Sequence, residues 1–288
     1  MDIRIRATSK KYNVKISIVD ITESMQEIIK LQKANVFANI VLSKFSAANT
    51  LIGMESKDND KTFSNWTTSD GAIKTMIAEF QNNKIRSYIQ NKQFDPMNYI
   101  NKIDADPVIA TAGKKGFLVV SRDLGLKDPY VSNVEINFGN IDYDFTNYWT
   151  KSSQTNSFLI TDCKLDDNLE IQKVVGIMVQ MFPGYTKENL DAISEKLGNT
   201  NFIKEVLLKS TNYQALIKEI IEDAEILEQK EIKFECTCST DKVFNSLKLL
   251  PKEEIKDIID KKEEVSILCE FCNKKYTVGL EDIAKLLN

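Results

Sequence analysis

The sequence of 288 residues contains no histidine, and this absence excludes several catalytic mechanisms. A serine or cysteine nucleophile would have no histidine base, and neither histidine-ligated zinc nor histidine acid–base catalysis can occur. No pair of Asp or Glu residues stands out from the general charge density, and the sequence has no glycine-rich nucleotide-binding loop. We therefore predict that the protein is not an enzyme.

Long apolar runs and a strong charge imbalance are lacking as well. The N-terminal "MDIRIRATSK" alternates charged and apolar residues, unlike a signal peptide, and no apolar run reaches the roughly 18 residues that a membrane span requires. With 38 basic and 42 acidic residues, the net charge of -4 offers no general attraction for nucleic acid. We predict a soluble, cytoplasmic protein that binds neither nucleic acid nor a membrane.

The sequence pattern of residues 1–183 predicts a strand-rich domain with helices packed on sheets. The stretches "IRIRAT", "VKISIVD", "GFLVVSRD" and "VVGIMVQMF" alternate or are rich in β-branched residues, as strands are. "GAIKTMIAEFQNNKIRSYIQ" predicts a hairpin that turns at 81–83, and the apolar spacing over 22–52 predicts one or two helices. The predicted class is α+β, with a helical linker and a small four-cysteine zinc domain following.

Residues 184–231 predict an amphipathic helical linker with an excess of acidic over basic side chains. Two interpretations remain open: an ordinary helical layer covering the core, or a marginally stable segment. The second interpretation rests on the acidic side chains crowded at 219–225, because repulsion between like charges destabilises a helix. The apolar residues at helical spacing are Leu190, Ile193, Leu197, Leu216, Ile217, Ile220, Ile221, Ala224 and Leu227.

Residues 232–288 contain four of the five cysteines, in two short pairs. Cys236 and Cys238 form one pair, and Cys269 and Cys272 form the other. Each pair can deliver two sulfurs from one turn, which matches a tetrahedral four-cysteine Zn²⁺ site. Such a short segment buries little apolar surface, whereas structural zinc contributes about 10–16 kcal/mol to folding. We predict one Zn²⁺ per chain and a segment that unfolds without it.

Three other interpretations of the cysteine pairs were weighed. A thioredoxin-like motif places its CxxC at the start of a helix, whereas Cys269 and Cys272 fall in a predicted strand turn. A nucleic-acid-binding zinc ribbon has two CxxC knuckles and a basic surface, whereas one pair here is CxC. A purely structural zinc site remains open. The fifth cysteine, Cys163, lies in a strand pattern and is predicted to be a core residue without a further role.

Zinc binding and disulfide formation exclude each other at such pairs, and this favours a switch. Zinc keeps the sulfurs as thiolates, so an oxidant that reaches the site meets reactive nucleophiles. Oxidation would eject the metal and withdraw its contribution to folding. The adjacent acidic linker would then loosen if it depends on docking against folded parts of the protein.

Several stretches of this chain resemble a known family. "FECTCS" (234–239), "LKLLPKEEIKDII", "CEFCNKKY" (269–276) and "EDIAKLL" are similar to the C-terminal part of the redox-regulated thirty-three-kilodalton heat-shock protein family, which are bacterial holdase chaperones. "GFLVVSRDLGLKDPY" and "GIMVQMFP" are weaker similarities in the N-terminal part. The chain departs from the family's Ser-Glu-Gln-x-Pro motif, because Ser153 replaces its acidic residue and Asn156 its proline.

The resemblance implies a mechanism and a domain organisation. Residues 1–183 would be the chaperone core, 184–231 a metastable linker and 232–288 the redox-switch domain. In the reduced state Cys236, Cys238, Cys269 and Cys272 would bind zinc in an inactive protein. Oxidation would pair Cys269 with Cys272 and Cys236 with Cys238, release the metal and unfold the linker. The active form, a homodimer, would hold unfolded or oxidatively damaged client proteins without ATP. A constitutive zinc-stabilised binding module and a thiol–disulfide oxidoreductase are the alternatives.

Overall fold

The computed structural model describes residues 1–57, 59–103, 106–261 and 264–287. Within it the chain forms two compact units, an N-terminal unit of Met1–Phe234 and a C-terminal unit of Glu235–Asn288. The N-terminal unit includes both the predicted core domain and the predicted linker. The second boundary falls after Phe234 because Ile232 is buried in the first core and Lys233–Phe234 pair with a strand of the N-terminal unit. The division of residues 1–234 into core and linker stays a prediction.

Both units mix helices and strands, as the α+β prediction requires. The strands are β1 (Ile3–Ser9), β2 (Val14–Asp20), β3 (Lys61–Thr68), β4 (Thr75–Gln81), β5 (Lys84–Ile89), β6 (Gly116–Asp123), β7 (Tyr130–Glu135), β8 (Ser157–Leu165), β9 (Ile171–Met181), β10 (Glu225–Glu231), β11 (Lys233–Phe234), β12 (Val265–Leu268) and β13 (Lys275–Val278). The helices are α1 (Thr22–Gln32), α2 (Val36–Gly53), α3 (Met97–Ile103), α4 (Pro107–Ala112), α5 (Ile141–Ser153), α6 (Lys187–Gly198), α7 (Thr200–Lys209), α8 (Tyr213–Ile220), α9 (Thr240–Leu247), α10 (Lys252–Asp260) and α11 (Leu280–Ala284), which a 3₁₀ turn follows at Lys285–Leu287.

The N-terminal unit is built from two sheets with helix α2 between them. One sheet has the order β10-β1-β2-β9-β8 and the other the order β11-β5-β4-β3-β6-β7. Helix α2 contacts strands of both sheets and carries buried residues along almost its whole length. By length and composition this helix could cross a membrane, but 78% of it is buried inside the protein. Its apolar character therefore belongs to the core.

The local predictions for the core are confirmed at several points. The predicted hairpin turns between β4 and β5, where Asn82 and Asn83 both have positive φ, as a tight two-residue turn requires. The segment 22–53 forms two helices, α1 and α2. Asn35 is the N-cap of α2: its side chain accepts a hydrogen bond from the backbone N–H of Ala38.

The predicted linker is largely helical, but its last part is not. Helices α6, α7 and α8 bury apolar residues such as Ile193, Leu207 and Ile217 against one face of the five-stranded sheet. The prediction of helical spacing through Ala224 and Leu227 is wrong, because residues 225–231 form strand β10, which pairs antiparallel with β1. Exposure alternates along "EILEQKE", and Leu227 is 60% exposed. Pairing with the free edge of β1 decides the conformation of this stretch.

Polar contacts also hold the segment 184–231 to the sheet. Glu222 accepts hydrogen bonds from the hydroxyl of Tyr12, at 2.6 Å, and from the ammonium groups of Lys11 and Lys196. The hydroxyl of Tyr213 donates to Asp20 at 3.0 Å. These contacts position the acidic segment without any contribution from the cysteine pairs.

Acidification is expected to release the turn at Glu222. Hydrogen bonds from Lys11 and then Tyr12 hold the pKa of this carboxyl well below its ordinary 4.5. The stabilisation is complete above the unfolded pKa and is lost as the pH falls through the lowered folded pKa. Hydrogen exchange at the backbone amide of Lys11, which donates to Asp223, should therefore accelerate as the pH falls below 4.5, relative to its intrinsic rate.

Two variants test this pH prediction. Glu222→Gln should accelerate amide exchange near neutral pH and remove the component of the pH dependence that Glu222 causes. The neighbouring Glu219→Gln serves as the control and should leave that component in place. An identical pH profile in the wild type and Glu222→Gln would contradict the assignment.

The C-terminal unit has its own small core. Strands β12 and β13 form an antiparallel hairpin, and α9, α10 and α11 surround it. Its buried side chains are Val243, Leu247, Ile255, Tyr276, Val278 and Ile283. The stretch "LPKEEIKDIIDKK" (250–262) predicts a helix, which is observed as α10 (Lys252–Asp260), and residue 262 lies outside the described ranges. A core of this size contributes little stability by itself.

Candidate metal centre

Two local structures present the four predicted ligands. Cys236 and Cys238 lie between the end of β11 and helix α9, whose first turn is capped by the side chain of Ser239 accepting from the backbone N–H of Lys242. Cys269 and Cys272 lie in the turn of the β12–β13 hairpin. This turn is closed by backbone bonds from Cys269 to Lys274, at 2.9 Å, and from Asn273 to Cys269, at 2.8 Å.

The fold brings all four sulfurs together. The Sγ atoms of Cys236, Cys238, Cys269 and Cys272 all lie within 4.8 Å of one another. Two of the separations join the two pairs: 3.7 Å between Cys236 and Cys269, and 3.5 Å between Cys238 and Cys272. A tetrahedron with metal–sulfur bonds of about 2.3 Å has edges of roughly 3.8 Å. All four cysteines are free thiols, so their arrangement is close to that of a four-sulfur metal site.

The electrostatics of the cluster also suit a cation. Burial raises the pKa of the Cys238 thiol, but hydrogen bonds from Tyr276 and the neighbouring thiols outweigh burial and lower the pKa to about 7. Burial and the other three thiols raise the pKa of Cys272. Four thiolates at these distances repel one another, so a divalent cation is what allows all four to be deprotonated together.

The structure places two further residues beside the cysteines: Tyr276, to which the sequence assigned no role, and Lys242, whose position next to the first pair suggested that its charge offsets that of the thiolates. The hydroxyl of Tyr276 donates to the Sγ of Cys238 at 3.0 Å. The ammonium of Lys242 donates to the backbone carbonyl of Thr237 at 2.7 Å, which holds a positive charge near the first pair. The stretch "CNKKY" could have indicated Tyr276. The second strand of a short hairpin begins directly after the turn, so a residue early in that strand lies close to the cysteines of the turn.

Cys163 lies apart from this cluster, on β8 of the N-terminal unit. It is half-buried and packs against the larger core. Burial raises the pKa of its thiol to about 12, so it stays protonated and unreactive at neutral pH. This placement agrees with the prediction of a core residue.

The comparisons with known proteins cover almost the whole chain. The model of the family described as "Hsp33 protein" matches residues 2–279. This chain belongs to the Hsp33 family. A 33 kDa chaperonin of Clostridium botulinum strain 657 is 31% identical over 290 residues, which cover 99% of this chain and 97% of the relative. The 33 kDa chaperonin of Clostridium beijerinckii is 30% identical over 288 residues, with the same coverage.

A solved structure agrees in fold with this Hsp33 family member. The crystal structure of the 33 kDa chaperonin from Thermotoga maritima matches with a TM-score of 0.83 and 25% sequence identity, over 99% of this chain and 97% of the other. The family resemblance and the α+β class are thereby confirmed. Membership of Hsp33 supports a chaperone function that involves unfolded client proteins, and the chaperonin names of the relatives agree with the prediction of a protein that is not an enzyme.

Proposed function

We propose that this protein is a redox-regulated, ATP-independent holdase chaperone of the cytoplasm. The observation that supports this most strongly is the cluster of four free cysteine sulfurs within 4.8 Å of one another. In the reduced state Cys236, Cys238, Cys269 and Cys272 would hold one Zn²⁺, and the chaperone would be inactive. Zinc bound there would stabilise the fold of the C-terminal unit and keep its ligands as thiolates.

The activating step is the oxidation of cysteine thiols to disulfides. One equivalent of hydrogen peroxide takes two electrons from two thiolates and two protons from the solvent, forms one disulfide and is reduced to two molecules of water. Pairing of Cys269 with Cys272, and of Cys236 with Cys238, would consume all four metal ligands. None of the four cysteines is in a disulfide, whose S–S bond is about 2.05 Å, so this pairing needs the cluster to rearrange as the metal leaves.

Loss of the metal would then destabilise residues 184–231, because the chain connects them directly to the first cysteine pair. Cys236 follows β11 by two residues, and one residue, Ile232, separates β11 from β10. Helices α6–α8 cover one face of the five-stranded sheet and β10 is its edge strand, so their release would expose the apolar residues beneath the helices, including Ile16, Ile18 and Ile177. Such a surface can bind unfolded clients without ATP. We propose that the active form is a homodimer.

One experiment tests the switch as a whole. The reduced, zinc-loaded protein is treated with hydrogen peroxide, and zinc release, proteolysis within 184–231 and suppression of client aggregation are followed together. All three should rise in parallel, and peptide mapping should find the two disulfides within the pairs. Full client protection before oxidation would instead indicate a constitutive binding module, and catalytic turnover of disulfides would indicate an oxidoreductase.

Tyr276→Phe is expected to weaken zinc binding about tenfold, because the variant loses the hydroxyl that donates to Cys238 but keeps the buried ring. Competition with a chromogenic chelator measures the affinity. The matched control is Tyr143→Phe, which removes an exposed hydroxyl from helix α5 of the N-terminal unit and should not change it. Equal affinities for all three proteins would show that the hydroxyl does not stabilise the thiolate.

A further inference from the structure

Arg122 differs from the other arginines of the chain in its partners. Within the described ranges Arg122 forms no ion pair, and aromatic rings flank its guanidinium instead. The guanidinium carbon lies 5.1 Å from the ring centroid of Tyr130 and 5.2 Å from that of Trp149. The other arginines pair with carboxylates: Arg4 and Arg6 with Glu228, and Arg86 with Glu79. The charge of Arg122 is therefore available to a further anion.

Buried hydrogen-bond donors surround this guanidinium. Tyr148 is 0% exposed and Trp149 is 3% exposed. The hydroxyl of Tyr148, the indole Nε1–H of Trp149 and the Nε–H of Arg122 are shielded from solvent, and none has a hydrogen-bond partner among the described residues. A buried donor without an acceptor costs about 1–3 kcal/mol, so three together indicate a site that takes an external acceptor.

The other buried tryptophan behaves in the ordinary way. The Nε1–H of Trp66 donates to the backbone carbonyl of Ala112 at 2.9 Å. The fold therefore supplies a partner to one indole and not to the other. The three donors named above lie on β6 and on α5, which contacts β7.

Two serine hydroxyls add to the same location. The Oγ atoms of Ser132 on β7 and Ser152 on α5 are 3.4 Å apart. Hydrogen bonds from Ser152 and Ser132, together with the charge of Arg122, lower the pKa of the Tyr130 phenol. The surroundings of this phenol therefore favour negative charge on oxygen. Tyr130 is 46% exposed, so the location is open to solvent on one side.

The β6–β7 ladder builds this arrangement together with helix α5. Arg122 and Tyr130 are directly paired across the two strands. Burial raises the pKa of the Tyr148 phenol, whereas the charge of Arg122 and the Ser152 hydroxyl oppose that rise. A planar guanidinium beside several N–H and O–H donors is the arrangement that binds carboxylate or phosphate oxygens.

We propose that Arg122, Tyr148 and Trp149 form a binding site for a small oxyanion, a carboxylate or a phosphate, at the junction of β6, β7 and α5. Arg122 supplies the charge, and Tyr148 and Trp149 donate hydrogen bonds from the buried side. The site lies in the N-terminal unit and involves neither the cysteines nor residues 184–231. It is therefore independent of the proposed redox switch.

The test uses the reduced, full-length protein at constant ionic strength, titrated with inorganic phosphate and, separately, with acetate. The indole N–H resonances of the two tryptophans are followed by NMR. The Trp149 resonance should shift saturably with at least one of the two anions, and the Trp66 resonance should stay in place. The anion that saturates at lower concentration identifies the preferred chemistry. Sodium chloride over the same range controls for general screening.

Variants decide whether the named residues carry the binding. Arg122→Met should weaken it by about tenfold or more, and Tyr148→Phe by about threefold, as expected for the loss of a charged and of a neutral hydrogen bond. Tyr143→Phe, on the exposed side of the same helix, is the matched control and should bind like the wild type. Because Tyr148→Phe keeps the buried ring, it remains informative if Arg122→Met fails to fold.

Two results would overturn the proposal. The first is that neither anion shifts the Trp149 resonance saturably, in which case water molecules satisfy the buried donors. The second is binding that is unchanged in both Arg122→Met and Tyr148→Phe, which would place the anion elsewhere.

Discussion

Removal of the metal is expected to unfold residues 235–288 while the proposed chaperone core, residues 1–183, stays folded. The C-terminal unit buries only a handful of apolar side chains, whereas a four-cysteine zinc site contributes about 10–16 kcal/mol. Chelation, or the variant Cys272→Ser, should therefore abolish the amide protection of α9, α10 and the β12–β13 hairpin. Hydrogen exchange read by mass spectrometry measures this directly, region by region.

The tryptophans provide an internal control for metal removal. Trp66 and Trp149 both lie in the N-terminal unit, so their fluorescence should not change when the C-terminal unit unfolds. Cys163→Ser is the matched cysteine variant, and it should retain both the metal and the protected C-terminal unit. A metal-free C-terminal unit with full amide protection would contradict the proposed role of zinc.

Glu228→Gln is expected to lower the free energy of unfolding and to activate the chaperone without oxidation. Glu228 on β10 lies 3.0 Å from the guanidinium of Arg4, which is 1% exposed, and 3.2 Å from that of Arg6. Breaking a fully buried pair costs about 3–5 kcal/mol, and we expect about 2 kcal/mol because Glu228 itself is 24% exposed. The substitution weakens the contact between β10 and β1, so β10 should detach from the sheet more readily.

Two measurements check this prediction. Urea unfolding gives the change in stability, and suppression of client aggregation by the reduced protein gives the activity. Glu225→Gln lies on the same strand, where Glu225 is 65% exposed and 3.9 Å from Lys10, and it should alter neither quantity. A destabilised Glu228→Gln that gains no activity would show that β10 is not part of the switch.

Local sequence signals predicted the secondary structure of the core well. The alternating "VKISIVD" is β2, and the asparagines at 82 and 83 close the β4–β5 hairpin. In these stretches the turn residues and the apolar period agree, so little is left for distant contacts to decide. The cysteine cluster was predictable for a similar reason, because two tight pairs can each present both sulfurs from one turn.

The error at β10 shows where local signals are insufficient. From Ile217 to Leu227 the apolar spacing suits a helix, and the acidic residues between them suit a solvated helix face. In the structure the chain leaves α8 at Ile220 and pairs with β1 instead. The hydrogen bonds of that edge strand come from residues more than 200 positions away in sequence, and no local pattern reports them.

The sequence by itself determined the absence of histidine chemistry, the α+β class and the identity of the four candidate metal ligands, because each depends on residue type or on short spacing. The tertiary structure alone decided that these sulfurs meet, that Tyr276 donates to one of them, and that Glu228 reaches a buried guanidinium. It also decided that Arg122 lies between two aromatic rings beside unpaired donors. The two cysteine pairs, Tyr276 and Cys238, and Glu228 and Arg4 are each separated by about 30 residues or more, and only the packing of sheets and helices brings such residues together.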